Sequence, residues 1–438
     1  MAAKKNARLF LTIGYVISCY ARYIAHIACP DVEDVTDEGA TRTHIFIEDL
    51  PQLSSRTDLL SRGPVRHDYV HDVMFVVKQK NMHKLTRMLH DVSDPDSPNY
   101  GQHMSGEQVH ALTSNPEARD AIVNYLNING ASVIDESPSG DLITANAPLS
   151  VWERLFDTKF YTFDHRQSQG DTQPIVRAEK YSIAFELSLH AESVLNVIEM
   201  PYNEPRPRKL SALSLLEGKK NQFEGQGVHP AGYLRPQEIR AYYNLSSVYG
   251  SALSTQGAVA FAANYFSPKS LAYFQQNISY QALQPALNIG GFESDDPNKD
   301  SSEGNLDIQY IMGISPGSPT TFWHNPGGFF TWLTEVIATP NPPLVLSISY
   351  GTPELYTSLG THKYVTNLAK KVGMRGITLV VASGDDGAVG SDARGNPSKC
   401  SYQPYFPAGN PYFTAIGATS VKQIIQKLCA PYYGDNCN

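Results

Sequence analysis

Glu303 and Asp307 stand four residues apart in the stretch Ser301-Ser-Glu-Gly-Asn-Leu-Asp-Ile-Gln-Tyr-Ile-Met-Gly313. If Ser301 or Ser302 caps a helix there, both carboxylates project from one face about one turn apart. Like charges at that spacing disfavour an isolated helix by a few tenths of a kcal/mol. Close burial forces one of the two to hold a proton at higher pH, a property useful in acid–base chemistry. The plain alternative is two solvated acids in a first helical turn, where negative charge is favoured. A second acidic group lies in Ile377-Thr-Leu-Val-Val-Ala-Ser-Gly-Asp-Asp-Gly387, an apolar strand that runs into a glycine-flanked turn. Carboxyl ends of parallel strands are where active-site groups gather, and Asp385 sits at such an end; a bare turn between Gly384 and Gly387 is the alternative. A third segment, Ser347-Ile-Ser-Tyr-Gly351, ends another apolar strand and offers an edge for an extended peptide. His324 and His362 lack close ligand spacing and read as surface or core residues.

The elements that must position these groups fall into two series. From about His67 to Phe163 the pattern is β-α-β-β-α-β. Val73–Val77 forms a strand, and Met82, Leu85, Met88, Leu89 and Val92 a helix. Asn115 and Pro116 open a second helix that Gly130 ends. Ser132–Asp135 and Leu142–Ala145 form a hairpin, Leu149–Phe156 a helix, and Lys159–Phe163 the last strand. This order implies a ferredoxin-like α+β domain. The stretch from Pro201 to Pro236, rich in Pro, Gly, Lys and Arg, reads as a linker open to proteases. Beyond it, strands at Ala258–Ala263, Leu344–Ser349 and Ile377–Ala382 alternate with helices at Leu306–Met312, Phe329–Ala338 and Tyr364–Val372. That rhythm signals a larger α/β domain with a parallel sheet covered on both faces.

The 438 residues are enough for two or three domains, and 41% hydrophobic with 18% charged residues excludes a collagenous, coiled-coil or mostly disordered chain. A formal charge of -8 leaves no basic field for nucleic acid. The five cysteines, at 19, 29, 400, 429 and 437, show no Cys-x-x-Cys spacing, so no structural metal is indicated. Lys4, Lys5 and Arg8 precede an apolar run from Leu9 to Ala21 that reads as a secretory signal; a membrane anchor continuing to Cys29 is the alternative, interrupted by Arg22 and His26. Removing the signal leaves an odd number of thiols. Asn-x-Ser sequons at Asn244 and Asn277 fit a secretory route.

Taken in order, these blocks resemble the sedolisin family of serine-carboxyl peptidases, most closely its tripeptidyl-peptidase-I-like members. The resemblance rests on Ser93-Asp-Pro-Asp-Ser-Pro-Asn-Tyr-Gly101 and Leu155-Phe-Asp-Thr-Lys-Phe160 in the leader. It continues with Pro236-Gln-Glu-Ile-Arg240, Tyr243-Asn-Leu245, Glu303-x-x-x-Asp307, Ser347-Ile-Ser-Tyr-Gly351, Ser383-Gly-Asp385, Phe406-Pro-Ala408 and Gly417-Ala-Thr-Ser420. It covers about residues 65 to 420. It implies a signal or anchor over 1–28, an activation prodomain over 60–200, a linker with a processing site over 201–235, and part of a subtilisin-like parallel-sheet catalytic domain over 236–438.

By that likeness Glu303 is the general base, Asp307 the carboxylate that orients it, and Asp385 a protonated donor to the oxyanion. Ser347, Ser349, Tyr350, Gly351, Ser383 and Gly384 would contact substrate. Carboxyl groups suit this work in acid, where a histidine would be protonated, and low pH and burial both favour a neutral Asp385. The expected setting is secreted or lysosomal/vacuolar. The expected partners are peptides or proteins, with no nucleic acid and no stable membrane association. The family's nucleophile lies in a Ser-Gly-Thr-Ser block that this sequence lacks. Ser420 follows Phe406-Pro-Ala408 too directly to take that place. The family's calcium site is likewise expected beyond this chain, which leaves no cofactor and no metal in it, and the chain as written is expected to be inert. An incomplete domain would expose sheet edge and apolar core to water. The alternative function is a non-catalytic binder or inhibitor acting through the prodomain.

Overall fold

The structure is a computed structural model that describes residues 44–49, 59–165, 175–200, 235–261, 264–279, 284, 286–296, 299, 302–391 and 402–418. The expected signal, nearly all of the linker, the five cysteines and Ser420 lie outside the described residues.

The first series begins with β1 (His44–Asp49), β2 (Leu59–Pro64) and β3 (Val70–Val77), then α1 (Met82–Ser93), α2 (Gly106–Thr113) and α3 (Pro116–Ile128). There follow β4 (Ser132–Glu136), β5 (Leu142–Pro148), α4 (Leu149–Phe156), β6 (Phe160–His165), β7 (Ile175–Ala178), β8 (Lys180–Ala184), the single turn α5 (Phe185–Ser188) and β9 (Ala191–Leu195). Local chemistry sets the helix starts. Asn115 caps α3 by accepting from the Ala118 N–H, with Pro116 in its first turn, and Ser105 forms a reciprocal capping box with Gln108 on α2. Gly130 leaves α3 at φ 86°, a backbone region that favours glycine.

Strands β4, β5, β3 and β9 make one antiparallel sheet in that order. The expected final strand, Lys159–Phe163, does not belong to it. That segment is β6, which pairs with β2 and β7 in a separate three-stranded sheet. Its two phenylalanines, three apart, point opposite ways: Phe160 enters the main core, and Phe163 a small cluster with Leu59 and Met200. The place beside β3 falls to β9, where Leu195 sits opposite Met74 and Val194 is fully buried.

The second series comprises α6 (Pro236–Tyr242), β10 (Gln256–Phe261), α7 (Pro268–Asn277), β11 (Leu287–Ile289), α8 (Ser302–Ile314), β12 (Thr320–Asn325), α9 (Gly328–Ala338) and β13 (Val345–Ile348). It ends with β14 (Thr352–Pro353), α10 (Leu359–Met374), β15 (Thr378–Ala382), β16 (Tyr405–Phe406) and β17 (Thr414–Ile416). Six strands form a parallel sheet in the order β11-β12-β10-β13-β15-β17. One face carries Val259, Phe261, Trp323, Leu346, Ile348, Leu379 and Val381 against α9 and α10. The other carries Ala258, Ala260 and Phe322 against Phe266, Leu271 of α7, and Ile308 and Met312 of α8.

Coverage on both faces, expected for the whole sheet, holds only for β10 and β12, which are buried throughout. Helices α7 and α8 lie chiefly over those strands. Thr378 and Ala382 of β15 and all of β17 are exposed, as is Val345 of β13. Among the described residues, no helix covers that side.

Helix α10 joins the two series. Its buried residues Tyr364, Val365, Leu368, Ala369 and Val372 share one cluster with Leu346 and Val381 of the parallel sheet and with Val76, Leu142 and Leu195 of the antiparallel sheet. Met374 packs with Leu85, Leu89 and Val92 of α1. Polar contacts fix the match. Glu192 accepts from the Asn367 amide (3.1 Å), and Glu199 from the Ser358 hydroxyl (2.8 Å). Lys371 and Asp141, each about 2% exposed or less, form an ion pair of 2.8 Å. The ammonium also donates to Gln79, and the other Asp141 oxygen accepts from Ser137 and Ser139. Burial opposes the Asp141 charge, yet Lys371 and the two hydroxyls hold its carboxyl below the ordinary range.

Removing one partner of such a pair leaves an uncompensated buried charge. Lys371→Met is expected to lower the stability of the chain by about 3–5 kcal/mol in urea unfolding, whereas the double variant K371M/D141L loses far less. Equal losses in the two would contradict the pairing.

Candidate active site

The first turn of α8 is pressed against the backbone of the segment that enters α7. A Cβ on Gly304 would lie 2.1 Å from the Tyr265 carbonyl oxygen, so a residue without a side chain is required there. Asn305 accepts from the Ser267 N–H (2.8 Å), and Gln309 donates to the Ser270 hydroxyl (3.1 Å). Ile308 and Met312 anchor the buried side of the helix. These contacts set the rotation of α8 about its axis and therefore the direction of Glu303 and Asp307. Ser302 is the first helical residue; Ser301 lies outside the described residues.

Asp307 lies half-buried where α8 passes β13. Burial, reinforced by the negative charge of Glu303 one turn earlier, pushes its carboxyl from an ordinary 3.8 up to about 7, against the opposing effect of the Ser349 hydroxyl. Ser349 donates to Asp307 Oδ1 at 3.0 Å. The strand register explains the contact. Ser347 pairs with Ala258, whose side chain faces α8, and Ser349 follows two residues later, just past the paired part of β13, with the same parity. The resemblance groups Ser349 with the peptide-contacting residues, and its hydroxyl donates to Asp307. The parity of Ser347 and Ser349 against buried Leu346 and Ile348 was the available signal.

The other residues assemble at the carboxyl ends of β13 and β15, which are neighbours with Ile348 opposite Val381. The free edge expected at 347–351 is not present along β13 itself, because that strand is paired with β10 on one side and β15 on the other. Only residues 349–351 run beyond the ladder. Tyr350 lays its ring on Phe329 (5.9 Å between centroids) and edge-on to Phe261 (5.0 Å), so it serves the apolar cluster on the α9 face. Gly351 and Gly384 allow close packing: a Cβ on either would meet Phe406 O at 3.2 Å or the Tyr405 ring at 3.2 Å, and Gly384 has φ 91°. The Ser383 N–H donates to the Ile416 carbonyl (3.1 Å), tying the end of β15 to β17.

Asp385 follows in an exposed turn. The burial expected around it is not found among the described residues. Helices α7 and α8 lie over β10 and β12, so no described element covers the outer end of β15. Ser349 meets Asp307 directly, and Glu303 acts on Asp307 through its charge; Asp385 shares with them only the same end of the sheet.

His324 is buried and stacks on Phe292, and His362 is within 2.6 Å of the Thr357 hydroxyl, so neither sits with the acids. A hollow of about 510 Å3 bordered by Gln237, Arg240, Tyr249 and Ser279 is lined by none of the site residues. Among the described residues, no three His, Cys, Asp or Glu side chains converge as a metal-binding group, and no helix is long and apolar enough to cross a membrane.

The raised Asp307 carboxyl has a pH signature. Between about pH 3.8 and 7 the folded chain holds this proton and the unfolded chain does not. Its contribution to stability is thus fully present below pH 3.8 and is lost as pH rises through 7, on the order of 4 kcal/mol in the limit. Asp307→Asn is expected to reduce the difference between urea midpoints measured at pH 4 and pH 7.5. An unchanged difference would contradict the desolvation of Asp307.

Residues 57–200 match the family described as "Pro-kumamolisin, activation domain". Over 442 aligned residues the chain is 27% identical to tripeptidyl-peptidase 1 of Dictyostelium discoideum, covering 93% of this chain and 72% of that protein. It is 27% identical to physarolisin of Physarum polycephalum (88% and 66% covered) and 28% identical to tripeptidyl-peptidase 1 of Homo sapiens (80% and 61% covered). The chain thus spans about two thirds of the length of these relatives. A solved Pseudomonas sedolisin (serine-carboxyl proteinase), complexed with two molecules of pseudo-iodotyrostatin, aligns at 22% identity and a TM-score of 0.33, covering 43% of this chain and 54% of that one. With an activation-domain match over 57–200 and relatives aligned across four fifths or more of its length, the chain resembles the sedolisin family, most closely its tripeptidyl-peptidase-1-like members.

Proposed function

We propose that this chain belongs to the precursor of a serine-carboxyl peptidase that hydrolyses peptide bonds in acid, of tripeptidyl-peptidase type, delivered to a secreted or lysosomal/vacuolar setting. The observation that carries the reading is the Glu303–Asp307 pair: two carboxyl groups one helical turn apart, one of them desolvated and hydrogen-bonded to Ser349, beside the carboxyl ends of parallel strands. The similar protein of Dictyostelium discoideum is named a tripeptidyl-peptidase.

In this mechanism Glu303 accepts the proton of an attacking serine hydroxyl. Asp307 holds Glu303 in place and limits the charge that builds up on the pair. Asp385, neutral in acid, donates to the oxygen that becomes negative when the acyl carbon turns tetrahedral. Residues 349–351, 383 and 384 would line an extended peptide. The sequence contains no Ser-Gly-Thr-Ser block, and the 438 residues by themselves are expected to be inert. Residues 57–200 would act as the activation segment that precedes a processed enzyme.

The test is peptide hydrolysis between about pH 3 and 5 by the protein isolated from its own cells, beside the 438-residue chain. The cellular protein is expected to turn over peptides and to lose on the order of a hundredfold or more in kcat with Glu303→Gln or Asp385→Ala. The 438-residue chain is expected to show no turnover. Full activity in the Glu303→Gln variant would remove the proposed base.

A further inference from the structure

Ser349, just past the end of β13, donates its hydroxyl to an acid of the pair. Its hydroxyl can give a single hydrogen bond, and that bond goes to Asp307 Oδ1. Asp307 Oδ2 is then the oxygen that Ser349 does not engage. Charged groups on the elements packed against α8 are engaged elsewhere. Lys269 of α7 faces Asp295, Arg235 at the start of α6 faces Glu238, and Arg240 donates to the carbonyls of Ile314 and Val248. Among the described residues, Glu303 is the charged side chain whose field acts on Asp307.

Resting on the peptidase reading above, we propose that Ser349 is a positioning residue: its hydroxyl pins Asp307 Oδ1 and thereby leaves Oδ2 as the oxygen that carries the proton. The strand sets the hydroxyl and the helix sets the carboxyl, so the pair is oriented by the fold and not by substrate. No bond to carbon is made or broken. The proton on Asp307 Oδ2 stays there while Glu303 remains the acceptor for a proton arriving from the nucleophile. Without the hydroxyl, Asp307 can rotate and offer either oxygen, and the charged form of its carboxyl loses a donor.

The experiment follows the carboxyl carbon of Asp307 by NMR in the 438-residue chain labelled with 13C-aspartate, with Asp307→Asn to assign the signal. Titration is expected near neutrality in the native chain. It should shift upward in Ser349→Ala, return towards the native midpoint in Ser349→Thr, which keeps the hydroxyl, and shift downward in Glu303→Gln. An unmoved midpoint in Ser349→Ala, or an upward shift of the same size in Ser349→Thr, would overturn the proposal, since bulk or packing at position 349 would then be the cause. None of these readouts needs peptide turnover, so a cellular protein that fails to cleave peptides would refute the peptidase reading while leaving this result intact.

Discussion

Both halves of the described chain bury themselves against α10, and most of the architecture follows from that shared helix. A helix covering one sheet needs a single apolar stripe; α10 meets two sheets and α1, and Tyr364, Val365, Leu368, Ala369, Val372 and Met374 are all buried. Its length, from Leu359 to Met374, sets where β15 can begin. The pairing of β15 with β13 then brings Ser383 and Gly384 alongside residues 349–351. The antiparallel sheet is tied to the same helix through Glu192, Glu199 and Asp141, so the leader segment supports the element that holds half of the proposed site.

The uneven cover of the parallel sheet explains why the three acids have different environments. Asp307 is desolvated because α8 lies over β10 and β12, pressed down by Gly304 and Asn305, and meets the end of β13. Asp385, two strands away from β10, has no layer above it and stays in water. Burial thus pushes the Asp307 carboxyl upward, and the charge of Glu303 adds to that push.

Much of this was legible in the sequence because local rules and tertiary packing agree. The cap at Asn115 and Pro116, the helix of Leu85, Leu89 and Val92, and the apolar strands at 345–348 and 378–382 were all readable from pattern. The helical spacing of Glu303 and Asp307 was readable in the same way. What failed needed information that no short window holds. The strand Ala191–Leu195 carries Glu192 and Ser193 within five residues, so alternation hides it, and only pairing with β3 reveals it. Thr320–Asn325, opening with two threonines and ending with His-Asn, reads as polar yet is buried along its whole length. The exposure of Asp385 depends on where α7 and α8 end up, which the strand before it does not encode. The contact of Ser349 with Asp307 joins residues 42 apart and follows from register, not from either motif.

The Lys371–Asp141 pair has a consequence for how sequences of this kind diverge. Ammonium and carboxylate are both sealed from water, and each is tolerable only while the other is present. A lineage that exchanges the pair for two apolar side chains must pass through an intermediate bearing one stranded charge, and selection will tend to remove that intermediate. The two positions, 230 apart in the chain, should therefore be inherited as a single character, retained together or lost together.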